Sequence, residues 1–130
     1  MRILLDTQAW LWVASAPERF SSRARSLVEA TDSELFLSAA SAWEIAIKYA
    51  LGKLRLPEAP VKYVPSRVEH LRMITLPINL DHALHVATLP HHHRDPFDRL
   101  LIAQAQLEDL LILTADPILG AYDVKIIAAT

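Results

Sequence analysis

The chain opens Met1-Arg2-Ile3-Leu4-Leu5-Asp6-Thr7, with three consecutive aliphatic residues running straight into a carboxylate. A strand with one wet face alternates apolar and polar residues, whereas a strand covered on both faces is apolar without interruption. The same continuous pattern recurs at Leu35-Phe36-Leu37, Met73-Ile74-Thr75-Leu76, Leu110-Leu111-Ile112-Leu113 and Val124-Lys125-Ile126-Ile127. Helical patterns fill the intervals at 8–15, 21–30, 41–51, 62–71, 81–88 and 97–108. Doubly covered strands alternating with helices predict an α/β fold, with a mostly parallel five-stranded sheet between helical layers. Two helices between the second and third strands, and two more between the third and fourth, make these crossovers richer than a plain β-α-β unit.

At 130 residues the chain has the size of one domain, and neither a repeat nor a linker divides residues 1–130. It contains no cysteine, which excludes a disulfide scaffold, thiolate zinc or iron–sulfur sites and a cysteine nucleophile. Its only glycines, Gly52 and Gly120, leave no room for a G-x-G-x-x-G turn, a P-loop or a G-x-S-x-G elbow. The hydrophobic fraction is 52%, yet the apolar run from Ala9 to Ala16, interrupted by Ser15, falls far short of the roughly 20 residues of a bilayer helix. Asp6 stands where a signal peptide needs its apolar stretch, so the expectation is a cytoplasmic protein with no membrane segment. Thirteen basic against fifteen acidic residues give a formal charge of −2, so a polyanionic partner must be held by a local patch or a metal.

Four acidic residues fall at equivalent places relative to the strands. Asp6 ends the first strand, Glu44 lies in the helix after the second, Asp98 opens the helix leading to the fourth, and Asp116 follows that strand. In a parallel sheet the C-terminal strand ends share one edge, where α/β proteins place ligands. Two like charges about 4 Å apart repel by about 4 kcal/mol at an effective dielectric near 20, a penalty that a hard divalent cation such as Mg²⁺ or Mn²⁺ removes. Each residue also has a structural reading. Ser41 and Glu44 form S-x-x-E, the pattern of a capping box, and Glu44 stands four residues before Lys48. Asp95 and Asp116 precede prolines, as N-caps do, and Asp98 would complement the dipole of its helix. Asp98 nevertheless shares a helix face with Ile102 and Ala105, which turns its carboxylate toward the packed side.

The segments L-L-D-T-Q-A-W-L-W at 4–12, S-A-W-E-I-A-I-K at 41–48, H-R-D-P-F-D-R-L-L-I-A-Q-A at 93–105 and L-T-A-D-P at 113–117 resemble the PIN-domain ribonucleases. The likeness is greatest to VapC-type toxins of type II toxin–antitoxin pairs, and it covers essentially the whole chain. It implies a PIN-like three-layer fold and hydrolysis of RNA phosphodiester bonds with Mg²⁺ or Mn²⁺. Residue by residue, it assigns metal binding and catalysis to Asp6, Glu44, Asp98 and Asp116, of which the fourth position varies within the family. It further implies an RNA substrate and a cognate antitoxin as partners. The alternatives are a solitary RNA-processing nuclease, or a silent PIN fold that binds RNA or protein.

Thr7 and Thr114 place hydroxyls beside Asp6 and Asp116, suited to orienting a water or carboxylate, or to capping a helix. Arg94, Arg99, Lys48, Lys53 and Arg55 lie near the acids in sequence and are candidates for gripping phosphates or for a salt-bridged rim. Asp95 reads as a cap within reach of the site. The run His91-His92-His93 and the pair His82 and His85 read as solvated or structural rather than as a zinc site, although His93 could approach RNA from its loop. Trp10, Trp12, Trp43 and Phe97 read as core or interface anchors. Helix 41–51 is apolar nearly all round, which predicts deep burial or a partner, with homodimerisation the natural form. A receiver domain would need paired acids after the first strand and an aspartate ending the third, and a haloacid-dehalogenase-type phosphatase would need D-x-D where Asp6-Thr7-Gln8 stands.

Overall fold

A computed structural model describes residues 1–130. Strands β1 (Arg2–Leu5), β2 (Glu34–Ser38), β3 (Ile74–Leu76), β4 (Leu111–Thr114) and β5 (Ile126–Ala128) form one sheet in the order β3-β2-β1-β4-β5. Every pairing is parallel, with Leu5 opposite both Leu37 and Leu113. The helices are α1 (Thr7–Ser15), α2 (Ser22–Glu29), α3 (Ala39–Ala50), α4 (Pro60–His70), α5 (Leu80–His85) and α6 (Pro96–Glu108). The fold is the expected three-layer α/β/α arrangement of a PIN-like domain.

The continuous apolar strands are explained by two separate cores. On one face Ile3 and Leu5 pack with Trp10, Ile45 and Tyr63; on the other, Leu4 packs with Phe36, Leu101, Ile102 and Tyr122. Alternate side chains of β1 therefore enter opposite layers, and each fully buried one stabilises the fold by about 1.5–3 kcal/mol. The strand order reverses between β1 and β4, which opens a crevice beyond their C-terminal ends. Asp6 follows β1 and Asp116 follows β4, so the topology alone brings these two acids to neighbouring loops.

Several element limits differ from the sequence pattern for local reasons. Leu110 is buried but precedes β4, because Asp109 turns out of α6 at φ 54° and the Leu110 N–H returns to the Ala105 carbonyl. The helix expected over 81–88 ends at His85 and continues as a 3₁₀ turn over Val86–Thr88. Helix α3 starts at Ala39, capped by the Ser38 hydroxyl accepting the Ala40 N–H at 3.0 Å. Ser41 therefore lies inside the helix, and the expected Ser41–Glu44 capping box does not form. Deep burial of this helix is also overturned: α3 buries Ala40, Ser41, Glu44 and Ile45 but leaves Trp43 60% exposed, edge-on to Phe97 at 5.3 Å. No helix is long and apolar enough to cross a membrane.

Candidate active site

Asp6, Glu44, Asp98 and Asp116 line one cavity of about 330 Å³, together with Thr7, Lys48, Lys53 and Asp95. Asp6 is buried and has both oxygens occupied. Its Oδ1 caps α1 by accepting the Ala9 N–H at 2.8 Å, and its Oδ2 accepts the Thr114 hydroxyl. The same Thr114 oxygen accepts the Asp116 N–H at 3.0 Å, so one hydroxyl ties the carboxylate after β1 to the backbone after β4. Asp116 in turn caps the following 3₁₀ turn through the Ile118 N–H at 3.0 Å, as the Asp-Pro pattern predicts.

Glu44 is held by two elements. Its Oε1 accepts the Thr7 hydroxyl at 2.6 Å and its Oε2 accepts Lys48 Nζ at 2.6 Å, the i, i+4 pairing visible in the sequence. Ser41 Oγ stands 3.0 Å from Thr7 Oγ1, one turn from where a cap would need it. Thr7 and Thr114 thus orient carboxylates and cap no helix. Lys48 gains proton affinity chiefly from its hydrogen bond to Glu44.

Asp98 projects from the first turn of α6, its side chain 18% exposed. Burial, then the carboxylates of Asp95 and Asp6, push its carboxyl up from 3.8 to about 7, against the opposing influence of His93. Asp6 is raised too, first by burial and then by Asp116 and Glu44, while its bonds from Thr114 and Ala9 pull the other way. Two raised acids in a single cavity, each pushed up first by burial and then by acidic neighbours, mark it as a candidate functional site. Asp95 accepts the N–H groups of Phe97 at 2.8 Å and Asp98 at 3.3 Å, so it caps α6 and also lines the cavity.

The sequence matches the family model described as PIN domain over residues 3–125. The chain belongs to the PIN-domain family. Ribonuclease VapC16 of Mycobacterium tuberculosis is 51% identical to this PIN domain over 59 residues, 45% of this chain and 40% of that relative, so the match spans less than half of either. Among solved structures, VapBC2 from Rickettsia felis, bound to a DNA fragment from their promoter, superposes with a TM-score of 0.75 at 12% identity over 100% of both chains. A toxin–antitoxin complex from Klebsiella pneumoniae gives a TM-score of 0.64 at 17% identity, covering 98% of each chain. At such identities the likeness is one of fold.

The cations near the PIN-domain acids divide into two groups. Lys48 and Lys53 line the cavity. Arg94 and Arg55 are exposed and outside its lining. Arg99 is buried and turned away: it donates to the carbonyls of Pro90 (2.8 Å), Val86 (3.3 Å) and Leu89 (3.4 Å) and to the Tyr122 hydroxyl (3.2 Å). A guanidinium committed to four loop oxygens braces the loop before α6, and it is not placed to grip substrate. Sequence proximity to Asp98 is misleading here because adjacent helical residues point about 100° apart.

Three cavity residues were not singled out by sequence reasoning: Gln8 and Leu11 on α1, and Leu54. His93, expected only as a loop residue able to approach RNA, instead stands against two of the acids. His91 and His92 are exposed, with His92 against Tyr122 at 5.0 Å, but the His93 Nε2 is buried. It lies 3.0 Å from Asp98 Oδ2 and 3.2 Å from Asp116 Oδ2, aligned as a full hydrogen bond to neither. One donor atom each from His93, Asp98 and Asp116 falls within 4.8 Å of the others. His82 and His85 are structural as expected: His82 accepts the Asn79 N–H in a capping box and faces Glu108 at 3.2 Å, and His85 pairs with Gln106 at 2.7 Å. The oxygen-rich donors, and the burial and neighbouring charges that raise Asp6 and Asp98, fit a hard divalent cation.

Proposed function

We propose that this PIN domain is a metal-dependent endoribonuclease that hydrolyses RNA phosphodiester bonds in the cytoplasm, as the toxin of a toxin–antitoxin pair. The observation that carries the reading is the convergence of Asp6, Glu44, Asp98 and Asp116 on one cavity at the reversal point of the sheet. The identity to a ribonuclease over 59 residues and the fold shared with toxin–antitoxin complexes support it.

Asp6, Glu44, Asp98 and Asp116 would hold Mg²⁺ or Mn²⁺. When bound, such an ion supplies charge stabilisation of the phosphoryl oxygens and lowers the pKa of an attacking water. The residues themselves do the rest. Thr114 and the Ala9 N–H fix both oxygens of Asp6, so its orientation is set before substrate arrives. Thr7 and Lys48 do the same for Glu44. Asp98, pushed up by burial and by its acidic neighbours, is the carboxyl whose charged form a bound cation would favour most. Lys48 and Lys53 present ammonium groups to the phosphates of a strand crossing the cavity, contacts that position RNA without reading its bases. A second copy of the chain packs on the exposed apolar face of α3, around Trp43 and Leu51, and light scattering at a single monomeric mass would contradict that.

The test is cleavage of a single-stranded RNA by the purified protein. Activity that requires Mg²⁺ or Mn²⁺, stops on chelation and is absent from a folded Asp98→Asn variant is expected. Undiminished cleavage by that variant would remove Asp98 from the chemistry.

A further inference from the structure

His93 is held beside the acidic cavity by two direct contacts and one indirect brace. Its backbone N–H donates to the Tyr122 hydroxyl at 2.8 Å, the oxygen that also accepts Arg99 Nη1. Arg99 bonds to the carbonyls of Val86, Leu89 and Pro90, so the loop carrying His93 is braced from beneath. Finally, the His93 ring Nδ1 accepts the Asp95 N–H at 3.3 Å.

That last contact decides the chemistry of the ring. An imidazole nitrogen that accepts a backbone N–H carries no proton, so in the neutral ring the proton resides on Nε2. Nε2 is the buried atom facing Asp98 Oδ2 at 3.0 Å and Asp116 Oδ2 at 3.2 Å. An Nε2 that ligates a metal needs the opposite tautomer, with its lone pair free and a proton on Nδ1. The Asp95 N–H stands against that arrangement.

We propose that His93 is a positioning residue: its Nε2–H, set between the Asp98 and Asp116 carboxylates at 3.0 and 3.2 Å without full hydrogen-bond alignment to either, attracts both and keeps them together behind the cavity lining, and it does not ligate the cation. The inference rests on the reading of the acids as a cation site. It gives Asp95 a double duty, since its side chain caps α6 while its backbone N–H selects the His93 tautomer. It also leaves the site with oxygen donors alone, so the metal preference stays with Mg²⁺ and Mn²⁺ rather than shifting to imidazole-seeking ions.

The experiment is a long-range ¹H–¹⁵N correlation spectrum of the full chain at about pH 8, where an ordinary imidazole is neutral. The His93 signals are identified by their loss in His93→Gln. The expected result is the Nε2–H tautomer, retained as Mg²⁺ is titrated in and the amides of Asp6 and Asp98 shift. An Nδ1–H tautomer at the outset, or a switch to it on adding Mg²⁺, overturns the proposal. Should no amide move with Mg²⁺, the cation-site reading fails instead, and the tautomer by itself still decides what His93 does. Calorimetry with Mn²⁺ supplies a second readout. His93→Ala weakens binding by about 10-fold, as loss of a partner behind a ligand does, and His93→Gln restores most of it because its amide returns an N–H donor. Equal losses in two folded variants would refute the donor role.

Discussion

Replacing Asp98 with asparagine separates what the site does for function from what it does to stability. In the unfolded chain this carboxyl titrates near 3.8, and in the fold burial, Asp95 and Asp6 carry it to about 7. The folded state therefore binds the proton more tightly. The stability this group contributes is fully present below about pH 4 and is lost as pH rises through about 7. The span from 3.8 to about 7 corresponds to a penalty of about 4 kcal/mol at pH 8, as an upper limit. Relaxation of the neighbouring carboxylates and the 18% residual exposure of the side chain reduce the expected gain in Asp98→Asn to about 2 kcal/mol, or roughly 8 °C in Tm. The assay is urea denaturation of both proteins in chelator at about pH 5 and pH 8. The variant should be the more stable at the higher pH, with the difference shrinking toward the lower. Mg²⁺ at about 100 times its Kd should then stabilise the parent by about 2.7 kcal/mol and the variant far less. An Asp98→Asn protein no more stable than its parent at pH 8 in chelator would refute the claim that burial and the neighbouring carboxylates make a charged Asp98 costly to the fold.

Thr114→Val removes the hydroxyl that joins Asp6 to the Asp116 backbone and should weaken Mn²⁺ binding about 10-fold by calorimetry; unchanged affinity would mean Asp6 needs no such support. Arg99→Met strips four loop oxygens of their donor and should lower stability by about 3 kcal/mol in urea. A variant of normal stability but poorer RNA binding would restore Arg99 to the substrate path. Lys53→Ala, made in the Asp98→Asn background, should lower the slope of log K against log salt for a single-stranded RNA by about 0.7, one phosphate contact, with no change of slope arguing against that contact.

How much of this was legible in the sequence depends on the range of the contacts involved. The layers were readable because Ile3-Leu4-Leu5 and its counterparts can be apolar throughout only between two helical layers, and the structure fills both. The four acids were readable because strand ends mark an edge, and Asp6, Glu44, Asp98 and Asp116 do share one cavity. Competition between local signals was harder to judge. Ser38 and Ser41 both suit an N-cap, and Ser38 wins because β2 runs to it without a break, leaving Ser41 to face Thr7. Arg99 and His93 were the least legible. Their directions follow from Tyr122, a residue 23 positions beyond Arg99 and 29 beyond His93, and from carbonyls of a loop whose path no periodicity encodes.

The central claim is that Asp6, Glu44, Asp98 and Asp116 gather around a divalent cation. Anomalous diffraction from crystals soaked in Mn²⁺ tests it without reference to any substrate. A peak within coordination distance of Asp6 and Asp98, about 2–2.5 Å from their oxygens, is the predicted result. A fully ordered cavity with no peak at saturating Mn²⁺, or a peak at another site alone, would contradict it.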